Sequence, residues 1–252
     1  MEILVFISGL LFGSFLNVVI CRLQKDESLV FPASHCPVCK EPLKFYDNIP
    51  LVSYLLLAGK CRSCRTRISL RYPLVELLTG SILTALFLRF GVSEAFFRTA
   101  ILMLFLIPIS FIDWDTKLVL NRLTIPGFIF GFLFVLLFQS EMWLRALLGA
   151  AGGGLVLLII GGIGQLLFKK ESIGFGDVKL LVLIGVFMGF PDVLICLVFG
   201  IFAASVYILY GMILKKITLG DIIPFGPFLA IGTLVYSLAG REMLNWYTAL
   251  YV

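Results

Sequence analysis

Residues 99–115 read TAILMLFLIPISFIDWD, fourteen uncharged and mostly apolar positions that run without a break into Asp113 and, two residues on, Asp115. With Phe96 and Phe97 ahead of it, the run approaches the roughly 20 residues that an α-helix needs to cross a bilayer. A carboxylate set directly against such a helix is costly to place and marks a candidate for function.

The rest of the chain agrees with a membrane reading. Apolar and aromatic residues fill 60% of the 252 positions and charged residues 14%. Counted with Gly and without Tyr, the apolar share is about two-thirds, against about 45–50% in soluble domains. A soluble domain of this size has too little interior for so much apolar side chain. The composition therefore excludes a soluble enzyme, a disordered chain and a disulfide-stapled secreted module. Apolar runs bounded by charge or by Pro/Gly clusters fall near 3–21, 73–90, 96–112, 123–139, 143–168, 176–190, 192–214 and 224–241. The expected fold is an all-α polytopic membrane protein of about eight transmembrane helices. Residues 1–22 form the first helix, 23–72 a small extramembrane domain, and 73–252 the remaining helical domain. Pro73, Pro126 and Pro224 are expected in first turns, where a missing N–H costs nothing. Between Asp177 and Pro191 lie only 13 residues, too few for a full crossing, and short segments often line a polar cavity. The first run lacks a basic start and a small-x-small cleavage site, so it reads as a span and not as a signal peptide.

Lys/Arg placement orients these spans. Nine fall in 22–72, and Lys117, Arg122, Lys169, Lys170, Lys179, Lys215 and Lys216 share that side, making sixteen of the twenty. Only Arg89, Arg98, Arg145 and Arg241 fall opposite. The long loop is thus expected in the cytoplasm and both termini outside. Topology accounts for the net charge of +5, and no nucleic-acid partner is expected.

Within that loop stand Cys36-Pro-Val-Cys39 and, 21 residues later, Cys61-Arg-Ser-Cys64. Two such knuckles suit tetrahedral Zn²⁺, each supplying two thiolates from one tight turn. Disulfides are the alternative, disfavoured in a reducing compartment. Four thiolates close the coordination shell, so the zinc would be structural, stabilising about 50 residues with little core of their own. His35 reads as a surface neighbour, and Cys21 and Cys196 as packing residues.

Two acidic places border apolar runs: Asp113, and Asp177 in Gly174-Phe175-Gly176-Asp177-Val178-Lys179. By the orientation above, both lie at cytoplasmic helix ends and hence at one depth. Two carboxyl groups facing across a partly dry cleft share a proton, one serving as base on a water and the other as acid on a carbonyl. Gly174 and Gly176 would let a substrate backbone approach. The bland alternative is that Asp177 caps its helix and Asp113 ends its own against solvent. Asp115 is about 200° around the helix from Asp113, and Lys179 stands likewise to Asp177. Lys179 is accounted for most cheaply by topology, though substrate and lipid phosphate are open to it. Glu76, one turn into the second span, has Arg71 and Tyr72 as local partners. No Ser/His triad or H-E-x-x-H is present. A membrane scaffold with a partner-docking zinc loop and a transporter are the rival classes.

Six segments taken in order carry a family resemblance. They are Gly13–Leu23; Ser34–Cys39 running into Asn48–Tyr54; Cys61–Cys64 with Arg71–Leu77; Ile112–Asp115; Gly174–Lys179; and Ile223–Phe228. Along nearly its whole length the chain resembles the bifunctional type IV prepilin leader peptidases and N-methyltransferases, which are membrane aspartic proteases. The resemblance implies Asp113 and Asp177 as the catalytic pair, with Asp115 accessory or structural. It implies cleavage of prepilin or pseudopilin leaders after Gly at the cytoplasmic face of the bacterial inner membrane. It also implies methylation of the new N-terminus with S-adenosylmethionine, because the zinc loop accompanies the methylating forms. The chain departs from the family at Leu118-Val119-Leu120-Asn121, where Leu-Leu-Pro-Asp is frequent; Asn121 is expected to cap the next helix. Gly152–Gly154 and Gly161, Gly162 and Gly164 lie inside an apolar run and read as helix packing. No G-x-G-x-x-G follows a strand to hold the cofactor.

Overall fold

The computed structural model describes residues 1–169, 174–218 and 220–249. Lys170, one of the cations used for orientation, lies outside them. Nine α-helices appear among the described residues: α1 Glu2–Leu23, α2 Val52–Leu56, α3 Arg71–Phe90, α4 Glu94–Thr116, α5 Asn121–Phe138, α6 Trp143–Phe168, α7 Phe175–Met188, α8 Asp192–Ile213 and α9 Gly226–Ala249. All eight apolar runs are helices. Six have both the length and the apolarity to span a bilayer; α7 and the apolar stretch Gly226–Gly240 are shorter. At 14 residues α7 reaches only about 21 Å, short of the roughly 30 Å hydrocarbon layer. Of the three prolines, only Pro73 sits in a first turn. Pro126 lies one turn inside α5, and Pro224 precedes α9.

Two compact units divide the chain, Met1–Val92 and Ser93–Val252. The first pairs α1 with α3. A Cβ on Gly9 would stand 2.7 Å from the Gly80 Cα, and one on Gly13 would stand 2.6 Å from the Glu76 Cα. The Gly9-x-x-x-Gly13 spacing thus serves direct backbone contact between two membrane helices, where small residues replace a hydrophobic driving force. Between these helices the chain carries no sheet, only a 3₁₀ turn at Phe45–Asn48, the short α2 and two isolated bridges.

In the second unit α7 is the centre. It packs against α4, α5, α6, α8 and α9, and Leu180, Leu181, Leu183, Ile184, Val186 and Phe187 are all buried. A helix enclosed on every side has no polar face, which is why its sequence shows no amphipathic period. Its crossing with α6 is tight: an added Cβ on Gly149 would collide with the Gly185 carbonyl, and one on Gly185 with the Gly149 backbone. Gly153 and Gly154 likewise face Leu181 and Val182. The Gly149–Gly154 stretch of α6 is a packing surface, whereas Gly162, also expected to pack, is exposed and a Cβ there would meet nothing within 4 Å among the described residues.

Candidate functional site

In the first unit the two cysteine knuckles are near copies of one another. The Cys36 N–H donates to the Glu41 carbonyl at 2.9 Å and the Lys40 N–H to the Cys36 carbonyl at 2.9 Å. In the second knuckle Cys61 and Arg65 repeat this with Thr66 and Cys61, at 2.8 and 3.1 Å. The residue after each second cysteine, Lys40 or Arg65, takes a left-handed φ of 60° or 59°. The bridges His35–Pro42 and Lys60–Arg67 close the two turns.

All four sulfurs lie within 4.8 Å of one another, with Cys36 to Cys64 at 3.8 Å and Cys39 to Cys61 at 4.0 Å. A tetrahedron of thiolates about 2.3 Å from a central metal has edges of about 3.8 Å, so the set fits a single tetrahedral ion. The Thr66 hydroxyl and backbone hold the Cys64 thiol down to about 6. At Cys39 the Glu41 backbone pulls downward, yet desolvation and the neighbouring thiols push it up to about 12. Thiols this crowded do not all ionise without a cation among them. His35 takes no part: its Nδ1 lies 3.1 Å from the Ala33 carbonyl.

Glu76 departs from its expected local partners. Buried in α3, its Oε2 accepts the Leu51 N–H at 2.9 Å, across 25 residues of chain. Leu51 has φ +59° and is the residue just before α2. Nothing in the sequence announces this bond. Cys21 lies 3.5 Å from the Tyr72 hydroxyl, and Cys196 is fully buried in α8.

In the second unit Asp113 occupies the last turn of α4 and is 4% exposed. It does not end the helix against solvent. Its Oδ2 accepts the N–H of Gly226, the first residue of α9, at 2.9 Å. An unpaired helix N–H directed at a carboxylate stabilises its charge. The fit is close, since a Cβ on Gly226 would stand 2.8 Å from that oxygen and 3.3 Å from Leu180 of α7. Three helices thus meet at one carboxylate. The rings of Trp114 and Tyr207, and of Tyr207 and Phe228, at 5.7 and 5.2 Å, tie the ends of α4 and α9 to α8.

Asp177 is the third residue of α7, half-buried, and its carboxyl group lies within Coulombic range of Asp113. The helix is capped at Gly174, with no side-chain cap. Asp115 is exposed at the end of α4. Gly174 is exposed, and among the described residues a Cβ there would meet only the Asp177 Oδ2, at 3.5 Å. Gly176 differs: its missing Cβ leaves room for Val119, whose own Cβ would be 3.0 Å away. Asn121 does not cap α5, a position held by Leu120. Its Oδ1 instead accepts the Lys179 Nζ at 2.8 Å, and Lys179 also lies 4.9 Å over the Phe175 ring. The segment in which the chain departs from its resemblance is therefore pinned to the start of α7 by two contacts. Gly226 was quoted above only within a motif. Its N–H reaches Asp113 solely because α9 starts there.

Residues 7–90 match the family described as Bacterial Peptidase A24 N-terminal domain, and residues 100–209 match the Type IV leader peptidase family. Curated proteins named prepilin leader peptidase/N-methyltransferase are similar over most of the chain. One from Aeromonas salmonicida is 35% identical, covering 97% of this chain and 92% of the relative. One from Bacillus subtilis is 32% identical, covering 97% and 96%. One from Myxococcus xanthus is 40% identical, covering 74% of this chain and 56% of the relative. No solved structure matches. The matches span both compact units and contain both acidic positions and all four knuckle cysteines: the chain belongs to the type IV leader peptidase family.

Proposed function

We propose that this protein is an aspartic endopeptidase of the bacterial cytoplasmic membrane, with Asp113 and Asp177 as its catalytic pair. The single observation that carries this reading is the buried Asp113 carboxyl group, held by the Gly226 N–H and in Coulombic range of Asp177 within one compact unit. A satisfied structural carboxylate needs no second acid beside it, and two acids sharing one site hold one proton between them.

The backbone donor makes Asp113 the better seat for the negative charge and Asp177 the better seat for the proton. Asp113 takes a proton from water as the oxygen bonds to the scissile carbonyl carbon, and Asp177 protonates the carbonyl oxygen. In collapse, the proton on Asp113 passes to the leaving nitrogen, one hydroxyl proton returns to Asp177, and the C–N bond breaks. Neither a metal nor a covalent intermediate enters this sequence. Glycine at 174 leaves the approach to Asp177 open.

The substrates are prepilins, as the relatives' names suggest; pseudopilins as further substrates, and cleavage after Gly at the cytoplasmic face, are what the resemblance implies. A substrate anchored in the bilayer arrives with its scissile bond held near the surface, so the membrane does part of the positioning. The second activity is methylation of the new N-terminus, for which S-adenosylmethionine supplies the methyl group. Cys36, Cys39, Cys61 and Cys64 hold a structural Zn²⁺, which would fix the fold of the extramembrane segment. That segment faces the cytoplasm and both termini lie outside, as the Lys/Arg count suggests.

Mass spectrometry of a purified prepilin incubated with the protein, with and without S-adenosylmethionine, tests both activities. A mass loss equal to the leader reports cleavage, and a further methyl increment reports transfer. An unchanged substrate mass overturns the proposal.

A further inference from the structure

We propose that the segment between the knuckles, residues 45–57, lies in the interfacial layer of the bilayer, its apolar side chains among the lipids and its flanking lysines against anionic headgroups. Three observations within the first unit lead there. Phe45, Leu55 and Leu56 are 85%, 76% and 80% exposed, and Ile49 and Val52 are exposed beside them. The 3₁₀ turn and α2 that carry them pack together. Five large apolar side chains left open on two packed elements form the kind of surface that marks an interaction site on a small extramembrane domain.

The second observation sets a depth. The 20 residues of α3 cover about 30 Å, the thickness of the hydrocarbon layer, so Arg71 stands near one edge and Glu76 about 7.5 Å further in. The Leu51 N–H is bonded to the Glu76 carboxyl group, and α2 starts at the next residue. A segment tied to a membrane helix at that level is held at the interface and not out in the cytosol.

Charge is the third. Lys44 and Lys60 bracket the segment, and Arg65 and Arg67 follow. All four are exposed, and among the described residues none has an ion-pair partner; the one salt bridge here joins Arg62 to Asp47. Apolar residues flanked by unneutralised cations are the composition of interfacial helices on anionic leaflets. The inference does not rest on peptidase or methyltransferase activity.

The test uses the full chain in nanodiscs, with a genetically encoded fluorophore replacing Leu56 and, separately, Leu55 or Glu41. Lipids brominated near the top of the acyl chain should quench the probe at 56 or 55 severalfold more than the probe at 41, while aqueous iodide shows the reverse order. The difference should grow as phosphatidylglycerol replaces phosphatidylcholine, and Lys44→Gln with Lys60→Gln should remove that growth. Glu76→Ala should shift the probe at 56 toward iodide, whereas Glu76→Gln, which keeps an acceptor, should not. Equal iodide quenching at 56 and 41 overturns the proposal, as does a probe reached by neither quencher, which would mean protein covers it. Indifference to phosphatidylglycerol overturns the headgroup contact.

Discussion

Gly226→Ala isolates the contact that holds Asp113. The added Cβ would stand 2.8 Å from the Asp113 Oδ2, where ordinary contact begins near 3.4 Å, so about 0.6 Å of separation must be found. If α9 or the carboxyl group yields that much, the 2.9 Å bond from the Gly226 N–H lengthens to about 3.5 Å and is effectively lost. A hydrogen bond to a charged group contributes about 1.5–3 kcal/mol. If Asp113 is the base that activates water, as proposed, losing the bond translates to roughly a 10- to 100-fold fall in kcat. Because no reacting group is removed, activity should fall without vanishing. Initial rates of leader cleavage, read by mass spectrometry in detergent or nanodiscs, give kcat and KM. A melting curve alongside separates this effect from unfolding. A folded variant cleaving within twofold of wild type would falsify the role given to this bond, and with it the assignment of the negative charge to Asp113.

Removing either acid is more severe. Asp113→Asn or Asp177→Asn should abolish cleavage while membrane expression persists; full activity in either sinks the catalytic pair. Cys36→Ser or Cys61→Ser should lose bound zinc by elemental analysis and leave residues 24–70 open to proteolysis, and unchanged zinc content would contradict the four-thiolate site. Lys179→Met should release α5 from α7 by removing its bond to Asn121, lowering stability by about 0.5–1.5 kcal/mol; an unchanged melting temperature would show the contact to be idle. Gly176→Ala should lower activity less than Gly226→Ala, since the 3.0 Å contact it creates is with the Val119 side chain in a loop. A larger loss at 176 would mean the position also meets substrate.

Much of the architecture was legible in the chain because membrane helices are selected by length and apolarity alone, and both are local properties. The runs at 73–90 and 143–168 became α3 and α6 within about two residues. The knuckles were equally plain, since C-x-x-C fits one turn and the turn's geometry dictates the residue spacing. Helix starts are less so: Pro126 and Pro224 suggest first turns, but α5 begins earlier, at Asn121, and α9 later, at Gly226. Proline states only which φ it holds and which donor it lacks, and both conditions are met at several positions near a helix start.

The candidate site divides along the same line. Asp113 and Asp177 stood out because a charge bordering an apolar run is expensive wherever the chain goes, and that expense is visible without coordinates. The donor to Asp113 lies 113 residues away, and the carboxyl group and the N–H meet only because α4, α7 and α9 converge. Glu76 and Leu51, or Lys179 and Asn121, are likewise ordinary residues until packing brings them within 3 Å. Burial, charge and turn chemistry are written residue by residue, so sequence alone determined the membrane class, the four-cysteine cluster and the two acids bordering apolar runs. Hydrogen bonds between distant segments are set by how whole helices cross, and a helix crossing has no local spelling.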